Sequence, residues 1–242
     1  DPAVNPDADE ICGDELDNNC DTIDQLCITE LGLTTADAKF YGSGGERVGL
    51  SVAPAGDVDG DGYDDMLISA ASNAAYLLRG PIVKPLGGAM PISSTAVASW
   101  SGEGTGVAAG DIDGDGNTDI VLGNPTGDWT PEDEDTIVDA GLISVYVGQP
   151  RADWADPYRF SSADLQDWIT LCGEALYDNA GSTLATADLD GDGDDEVVVA
   201  AVHQDGGGSI NDDLGAVYVV NGPIVSNLHK LEEAQTVYLS DA

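Results

Sequence analysis

The sequence predicts an all-β protein built from β-propeller-type blades of four antiparallel strands. Short runs rich in Val, Ile and Tyr and bounded by Gly and Pro are typical of β-strands. About four such runs recur in each of three units, and helix signals are almost absent. Because four-stranded units repeated at this scale are typical of propellers, we expect blades and not a β-sandwich.

Each unit is predicted to run through the same four segments. It opens with a strand that ends near Gly, at 36–42, 96–102 and 167–173. A strand of small residues follows, then an Asp-rich loop, and then an apolar run at 66–69, 120–122 and 197–200. A last strand and a turn close the unit, at 75–81, 143–150 and 216–223.

These units define the predicted domains. Residues 1–28 form a Cys- and Asp-rich segment, and residues 29–242 form the repeat region. The units lie at about 36–95, 96–166 and 167–234, and residues 235–241 match only the opening strand of a further unit. The expected fold is therefore three units plus one extra strand. This would be a partial propeller, or one that a second subunit completes.

The charge balance is extreme, with 46 acidic residues against 7 basic ones and a net charge of −39. Asp outnumbers Glu by 35 to 11 beside 31 Gly, which favours tight turns and loops for hard cations over a merely solubilising surface. A salt-adapted surface could accompany metal binding. Such a negative field repels nucleic acid and anionic membranes, so we exclude both as direct partners, and no apolar run has membrane-spanning length.

Three loops share one spacing, with carboxylates at positions 1, 3, 5 and 9 and Gly at position 6. The Gly permits a sharp reversal that lets the carboxylates converge, and the backbone carbonyl of position 7 adds another oxygen. This flexible oxygen set suits Ca²⁺ better than Mg²⁺, which demands a strict octahedron. The predicted Ca²⁺ ligands are Asp57, Asp59, Asp61, Tyr63 and Asp65 in loop 1, Asp111, Asp113, Asp115, Asn117 and Asp119 in loop 2, and Asp188, Asp190, Asp192, Asp194 and Glu196 in loop 3.

An EF-hand site is excluded for these loops. EF-hand loops need an acidic ligand at position 12 and flanking helices. Position 12 here is Ile68, Leu122 or Val199, and each lies in an apolar β-type run. Because a bound cation relieves the repulsion between the carboxylates, we expect metal binding to be coupled to folding.

The stretch 40–49, the loop 55–65 and the strand end 76–81 together resemble an FG-GAP repeat, the blade of integrin-α propellers, and the resemblance covers about residues 36–242. It implies structural Ca²⁺ in the hairpin loops and roles in extracellular adhesion or recognition. FG-GAP rings resemble seven-bladed propellers, so this chain would be part of a longer ring or subunits would complete one another. Glu196 replaces Asp at position 9, which should be tolerated.

The four cysteines, Cys12, Cys20, Cys27 and Cys172, suggest two disulfides in an oxidising compartment, with three pairings open. Residues 10–24 resemble the Cys- and Asp-rich metal-binding motif of bacterial surface proteins (MopE type). A Cys12–Cys20 loop could hold a fourth cation, and Cys27–Cys172 would then join this segment to the third unit. The alternative is a flexible acidic tail pinned by disulfides. The candidate ligands are Asp14, Asp17, Asp21 and Asp24.

We therefore expect a secreted, calcium-binding adhesion or recognition module of a bacterial cell surface, with an extracellular protein or glycan as partner. The two histidines lie in unrelated contexts, and the Asp loops account for the clustered carboxylates, so we expect no enzyme activity. Two alternatives stay open. One is a structural subunit that polymerises by lending its terminal strand to a neighbour, and the other is an accessory domain of a secreted hydrolase.

Overall fold

The computed structural model describes residue 6 and residues 36–59, 61–82, 89–130, 135–148, 168–203, 214–224, 229–231 and 236–239. The chain divides into two compact units, Asp1–Asp37 and Ala38–Ala242. The N-terminal metal and disulfide predictions lie outside the described residues and stay predictions. They concern Asp14, Asp17, Asp21, Asp24, Cys12, Cys20 and Cys27.

The second unit is almost entirely β-structure with one short helix among its described residues. In chain order its elements are β1 (Lys39–Tyr41), β2 (Val48–Gly56), β3 (Asp65–Ala70), β4 (Ala74–Leu78), β5 (Ala89–Pro91), α1 (Ile92–Thr95), β6 (Ala98–Ser101), β7 (Val107–Gly110), β8 (Asp119–Asn124), β9 (Leu142–Tyr146), β10 (Trp168–Cys172), β11 (Ala180–Ala187), β12 (Glu196–Ala201), β13 (Ala216–Val220), β14 (His229–Lys230) and β15 (Thr236–Leu239).

Three sheets account for most of these strands. Blade 1 has the order β2-β3-β4-β6, blade 2 the order β7-β8-β9-β10, and blade 3 the order β11-β12-β13-β15, with antiparallel neighbours throughout. The two-residue β14 adds to β10 in parallel, and β1 pairs with β5 as a separate parallel ribbon. The predicted all-β architecture of four-stranded antiparallel blades is confirmed.

The repeats in the sequence and the sheets in the structure are offset by one strand. The opening strand of the second unit, β6, pairs with β4 and closes blade 1, and the opening strand of the third unit, β10, closes blade 2. The terminal strand β15 pairs with β13 and closes blade 3 in the same way. Composition identifies a segment as a strand, but its sheet depends on partners far away in sequence, which the repeat pattern does not specify.

The blades bury their apolar side chains against one another. The first strands of the blades pack in succession, β2 against β7, and β11 against both β7 and β8. One buried cluster lies between blades 1 and 2 and includes Leu67, Leu77, Trp100 and Leu122. A second lies between blades 2 and 3 and includes Val145, Leu171, Val199 and Tyr218. The described strands thus form three consecutive blades and not a closed ring.

Blades 2 and 3 approach each other closely at two glycines. A β-carbon on Gly123 would run into the carbonyl group of Gly181, on the facing strand β11. Gly181 itself has a φ of 85°, in the left-handed region that favours glycine. Small residues at this crossing therefore let β8 and β11 pack in contact.

The opposite side of blade 1 carries a smaller core. Ile68, Tyr76 and Leu78 pack there with Ile92 of α1, and Phe40 of β1 borders them. The hydroxyl of Tyr76 donates a hydrogen bond to the Glu46 carboxylate, which lowers the pKa of Glu46. Burial, assisted by the Glu46 charge, raises the pKa of Tyr76 to about 12.

Two further features bear on the predictions. Cys172 is fully buried in β10, and its three predicted partners lie outside the described residues, so the pairing stays a prediction. No helix within the described part of the chain has the length and apolar character needed to span a bilayer.

Candidate metal centre

The three Asp loops occupy the same place in each blade, between its first and second strands. Loop 1 joins β2 to β3, loop 2 joins β7 to β8, and loop 3 joins β11 to β12. The position 6 glycines, Gly62, Gly116 and Gly193, have φ values of 91°, 84° and 106°. These left-handed conformations confirm the sharp reversal that the spacing predicts.

Each loop gathers three carboxylates at one point. One oxygen from each of three side chains lies within 4.8 Å of the others in every loop. Ligand oxygens bound to one Ca²⁺ at roughly 2.3–2.6 Å are at most about 5 Å apart, so the spacing fits a shared cation. The clusters are Asp57, Asp59 and Asp61 in loop 1, Asp111, Asp113 and Asp115 in loop 2, and Asp188, Asp190 and Glu196 in loop 3.

Backbone N–H groups hold the position 1 carboxylates in place. Asp57 accepts hydrogen bonds from the amides of Asp61 at 2.9 Å and Gly62 at 2.8 Å. Asp111 accepts one from Gly116 at 2.9 Å, and its Oδ1 is buried without a hydrogen-bond partner among the described residues. Hydrogen bonds from the loops' own backbone amides thus fix the position 1 side chains. At least one carboxylate oxygen, Asp111 Oδ1, is not used by these hydrogen bonds.

Position 7 was predicted to offer its backbone carbonyl. In all three loops the backbone N–H of this residue donates a hydrogen bond to the position 5 carboxylate, at 2.8–3.0 Å. This bond turns the chain after the glycine, and the role of the carbonyl oxygen as a cation ligand stays a prediction. The residues concerned are Tyr63, Asn117 and Asp194.

Position 9 differs between the loops. Asp65 is buried, and its two oxygens accept hydrogen bonds from Val58 at 3.1 Å and Gly80 at 2.8 Å. Asp119 is buried in the same manner and accepts from Ile112 at 2.8 Å and from Gly148. In loops 1 and 2 this residue therefore fastens the loop to the turn after the blade's third strand, and it lies outside the three-carboxylate clusters.

Glu196 takes the corresponding position in loop 3 with one more methylene group. Its Oε2 accepts a hydrogen bond from Leu189 at 2.6 Å, which matches the Val58 bond of loop 1. Its Oε1 has no hydrogen-bond partner among the described residues, although the residue is 1% exposed. The longer side chain brings a carboxylate oxygen close to those of Asp188 and Asp190, so Glu196 joins the cluster.

Loop 1 differs from the others because a positively charged side chain of the protein contacts its carboxylates. Arg79, which follows β4, forms an ion pair with Asp59 and a second one with Asp61 at 3.2 Å. The equivalent residues before the glycines of the other turns are Val147 and Asn221, which carry no charge. No short sequence pattern links Arg79 to this loop, although Arg79 is one of only 7 basic residues in the chain.

Burial and crowding raise several carboxyl pKa values. Burial raises the pKa of Asp119 to about 7, and it raises that of Asp65 despite the hydrogen bond from Gly80. The pKa of Asp113 is raised by burial and then by the nearby charge of Asp115. A raised pKa means that the charged form is disfavoured, so a cation bound among these groups would relieve unfavourable electrostatics.

Loops 2 and 3 touch each other. Asp195 accepts a hydrogen bond from the Asp111 amide at 3.0 Å and donates its own amide to the Asp111 carbonyl at 2.7 Å. The neighbouring Asp194 has a pKa raised by partial burial and then by the charges of Asp192 and Asp111. The Asp194 side chain therefore adds negative charge to loop 2 as well as to its own loop.

Comparison with known families identifies the repeat. Residues 57–122, from loop 1 into blade 2, match a family model described as FG-GAP-like repeat. Residues 104–146 match one described as FG-GAP repeat. Residues 57–146 are thus similar to FG-GAP repeats. Repeats of this type are typical of extracellular proteins.

A longer protein is similar to part of this chain. A phosphatidylinositol-glycan-specific phospholipase D of Dictyostelium discoideum is 26% identical to this chain over 178 residues. The alignment covers 63% of this chain and 18% of the relative, so the chain spans less than a fifth of that protein's length.

Proposed function

We propose that this protein is a calcium-stabilised extracellular recognition module without enzyme activity. The observation that carries the proposal is Glu196, which is 1% exposed, clusters through a carboxylate oxygen with Asp188 and Asp190, and has an Oε1 without a hydrogen-bond partner among the described residues. An unpaired buried carboxylate oxygen is costly, and a bound cation would satisfy it. Two similar clusters on neighbouring blades support the same role.

Calcium is the cation that fits the donor set best. The three clusters offer only carboxylate oxygens, which are hard ligands, and contain neither His nor Cys. Ca²⁺ accepts variable numbers of oxygens in flexible geometry, whereas Mg²⁺ retains several waters and prefers fewer protein ligands. Bound calcium would tie the first strand of each blade to the second by drawing together acidic groups that otherwise repel.

The experiment is thermal unfolding of the full chain in millimolar calcium, in the same concentration of magnesium, and after chelation. At a free calcium concentration of about 100 times the dissociation constant, one site adds roughly 2.7 kcal/mol to the free energy of unfolding. For a domain of this size each lost site lowers the melting temperature by about 5–10 °C. Equal melting temperatures in calcium and chelator would refute the proposal.

Two variants localise the effect. Glu196→Gln removes the charge of the buried ligand in loop 3, so calorimetric titration should show one calcium site fewer or about tenfold weaker binding at one site. Asp64→Asn is the matched control, because Asp64 is exposed in loop 1 and lies outside all three clusters. The control should keep the calcium titration of the unmodified protein. Equal effects of both variants would mean that only net charge matters.

The recognition role rests on the repeat type, since FG-GAP blades are typical of extracellular proteins. We propose an extracellular protein or glycan as the partner and a secreted location on a bacterial surface. Screening of immobilised extracellular glycoproteins and glycans, in calcium and in chelator, tests this role. Calcium-dependent capture of one class would support it, and absence of capture from a broad panel would oppose it.

A second candidate function is an accessory domain of a secreted hydrolase. The supporting observation is the similarity to a part of the phosphatidylinositol-glycan-specific phospholipase D. The test is the complete coding sequence, together with hydrolase assays of the whole polypeptide. A fused catalytic domain would favour this candidate over a free-standing adhesion module.

A further inference from the structure

Blade 3 is fastened to loop 2 of the preceding blade by backbone hydrogen bonds. The Asp111 amide donates to the Asp195 carboxylate at 3.0 Å, and the Asp195 amide donates to the Asp111 carbonyl at 2.7 Å. The turn after β13 adds a third bond, because the Ile224 amide donates to the Ile112 carbonyl at 2.9 Å. These bonds hold positions 7 and 8 of loop 3 against loop 2.

Two glycines leave room at loop 2 for acidic side chains of loop 3. A β-carbon on Gly114 would lie 2.6 Å from Asp194 Oδ1, and one on Gly110 would run into the Asp195 carboxylate. Gly114 is the residue between the last two carboxylates of the loop 2 cluster. The side chain of Asp194 therefore lies against loop 2, although its backbone belongs to loop 3.

The corresponding contact between loops 1 and 2 brings no charge. A β-carbon on Gly56, just before loop 1, would lie 3.3 Å from the Thr118 hydroxyl of loop 2. Positions 7 and 8 are the uncharged Asn117 and Thr118 in loop 2, but Asp194 and Asp195 in loop 3. Of the two contacts between loops, only the one on loop 2 therefore adds carboxylates from the next blade.

The oxygens of loop 2 fit a cation that has both direct and outer ligands. Asp111 Oδ1 is buried and has no hydrogen-bond partner among the described residues, so a direct ligand is available. Asp194 lies outside the three-carboxylate cluster of loop 2. Because Ca²⁺ takes 6–8 oxygens, three carboxylates leave positions for bound water. Residues in the shell around a metal's ligands typically change its affinity by about 10–100-fold.

We propose that Asp194 of blade 3 is an outer-shell carboxylate of the calcium site in loop 2, so that this site joins two blades. The inference rests on the calcium sites proposed above and adds that loop 2 is completed from the next blade. Asp194 contributes negative charge and accepts hydrogen bonds from cation-bound water. Without calcium the same charge repels the carboxylates of Asp111 and Asp113.

The test is calorimetric titration of calcium into the full chain and its Asp194→Asn variant, which keeps the position 7 carbonyl and the size of the side chain. The expected result is about tenfold weaker binding at one site. The loss should persist when loop 3 is weakened by Glu196→Gln and disappear when loop 2 is weakened by Asp113→Asn. Asp64→Asn makes the same charge change at an exposed residue of loop 1 and should leave the titration unchanged.

Urea unfolding separates this role from a merely structural one. In chelator, Asp194→Asn relieves repulsion and should not lower the free energy of unfolding. At saturating calcium it should lower this free energy by about 1.4 kcal/mol, which corresponds to the tenfold weaker binding. A residue that only shapes the loop would lower stability under both conditions.

Three results would overturn this inference and leave the calcium sites themselves standing. They are an unchanged titration of Asp194→Asn, a loss of affinity that survives Asp113→Asn, and equal destabilisation in chelator and in calcium. Absence of calcium binding by the unmodified protein would overturn the inference together with the proposed function.

Discussion

Replacement of Arg79 by glutamine tests whether the Arg79 guanidinium and calcium compete for the carboxylates of loop 1. Without calcium, Arg79→Gln leaves Asp59, which is 4% exposed, and Asp61 without their positive partner. Two unit charges about 4 Å apart attract by about 4 kcal/mol at an effective dielectric constant of about 20. Desolvation of the pair offsets part of this attraction. Exposed pairs contribute about 0–1 kcal/mol, and breaking buried ones costs about 3–5 kcal/mol.

The Arg79 pair lies between these limits, because the arginine side chain is 21% exposed and that of Asp59 only 6%. We therefore expect Arg79→Gln to lower the free energy of unfolding by about 2 kcal/mol in chelator. With calcium, the cation must displace the guanidinium from both carboxylates before it binds. Loop 1 of the variant should thus bind calcium about 30-fold more tightly, since about 1.4 kcal/mol corresponds to a factor of ten.

The assay combines urea unfolding with calorimetric titration of calcium. A deficit of about 2 kcal/mol in chelator should shrink toward zero at saturating calcium, because the bound states of the two proteins are alike. Arg47→Gln is the control, since Arg47 is exposed and the same charge is removed outside the Asp loops. Two results would refute the competition between Arg79 and calcium. One is that Arg79→Gln lowers the free energy of unfolding equally with and without calcium, and the other is that Arg47→Gln shows the same calcium-dependent deficit as Arg79→Gln.

Two further predictions concern packing and pH. Gly123→Ala places a methyl group against the carbonyl of Gly181 and should lower the free energy of unfolding by about 1–3 kcal/mol through forced separation of blades 2 and 3. An unchanged urea midpoint would contradict this. Tyr76 keeps its proton to about pH 12 in the folded state, whereas unfolded tyrosines ionise near pH 10, so stability should fall as pH rises between these values. Tyr76→Phe, which cannot ionise, should lose this part of the alkaline slope, and pH-dependent urea midpoints of both proteins will show whether it does.

The sequence was sufficient to locate the loops and their turns. The spacing of Asp57, Asp59, Asp61 and Gly62 is a local pattern, and the left-handed φ of this glycine follows from the chemistry of tight turns. The apolar runs after each loop likewise became the second strands of the blades. These features depend on residues within one short window, so no knowledge of distant contacts was needed.

Features that depend on distant partners could not be predicted. Arg79 reaches Asp61 across 18 residues, and no short pattern links them. The contacts of the position 9 side chain also depend on residues that are distant in sequence. Asp65 accepts a hydrogen bond from the Gly80 amide. The side chain of Glu196 is one methylene group longer and joins the carboxylate cluster of loop 3. An exchange of Asp for Glu that should be tolerated therefore changes the contacts of the side chain.

The one-strand offset between repeats and sheets has a consequence for how the molecule comes apart. A fragment cut at the limits of the second repeat, 96–166, would take β6 from blade 1 and lack β10 of its own sheet. No repeat is a self-sufficient module, because each sheet is finished by residues belonging to its successor. Mechanical pulling or proteolysis should therefore release the blades together in one transition, and fragments designed for expression must be cut between sheets and not between repeats.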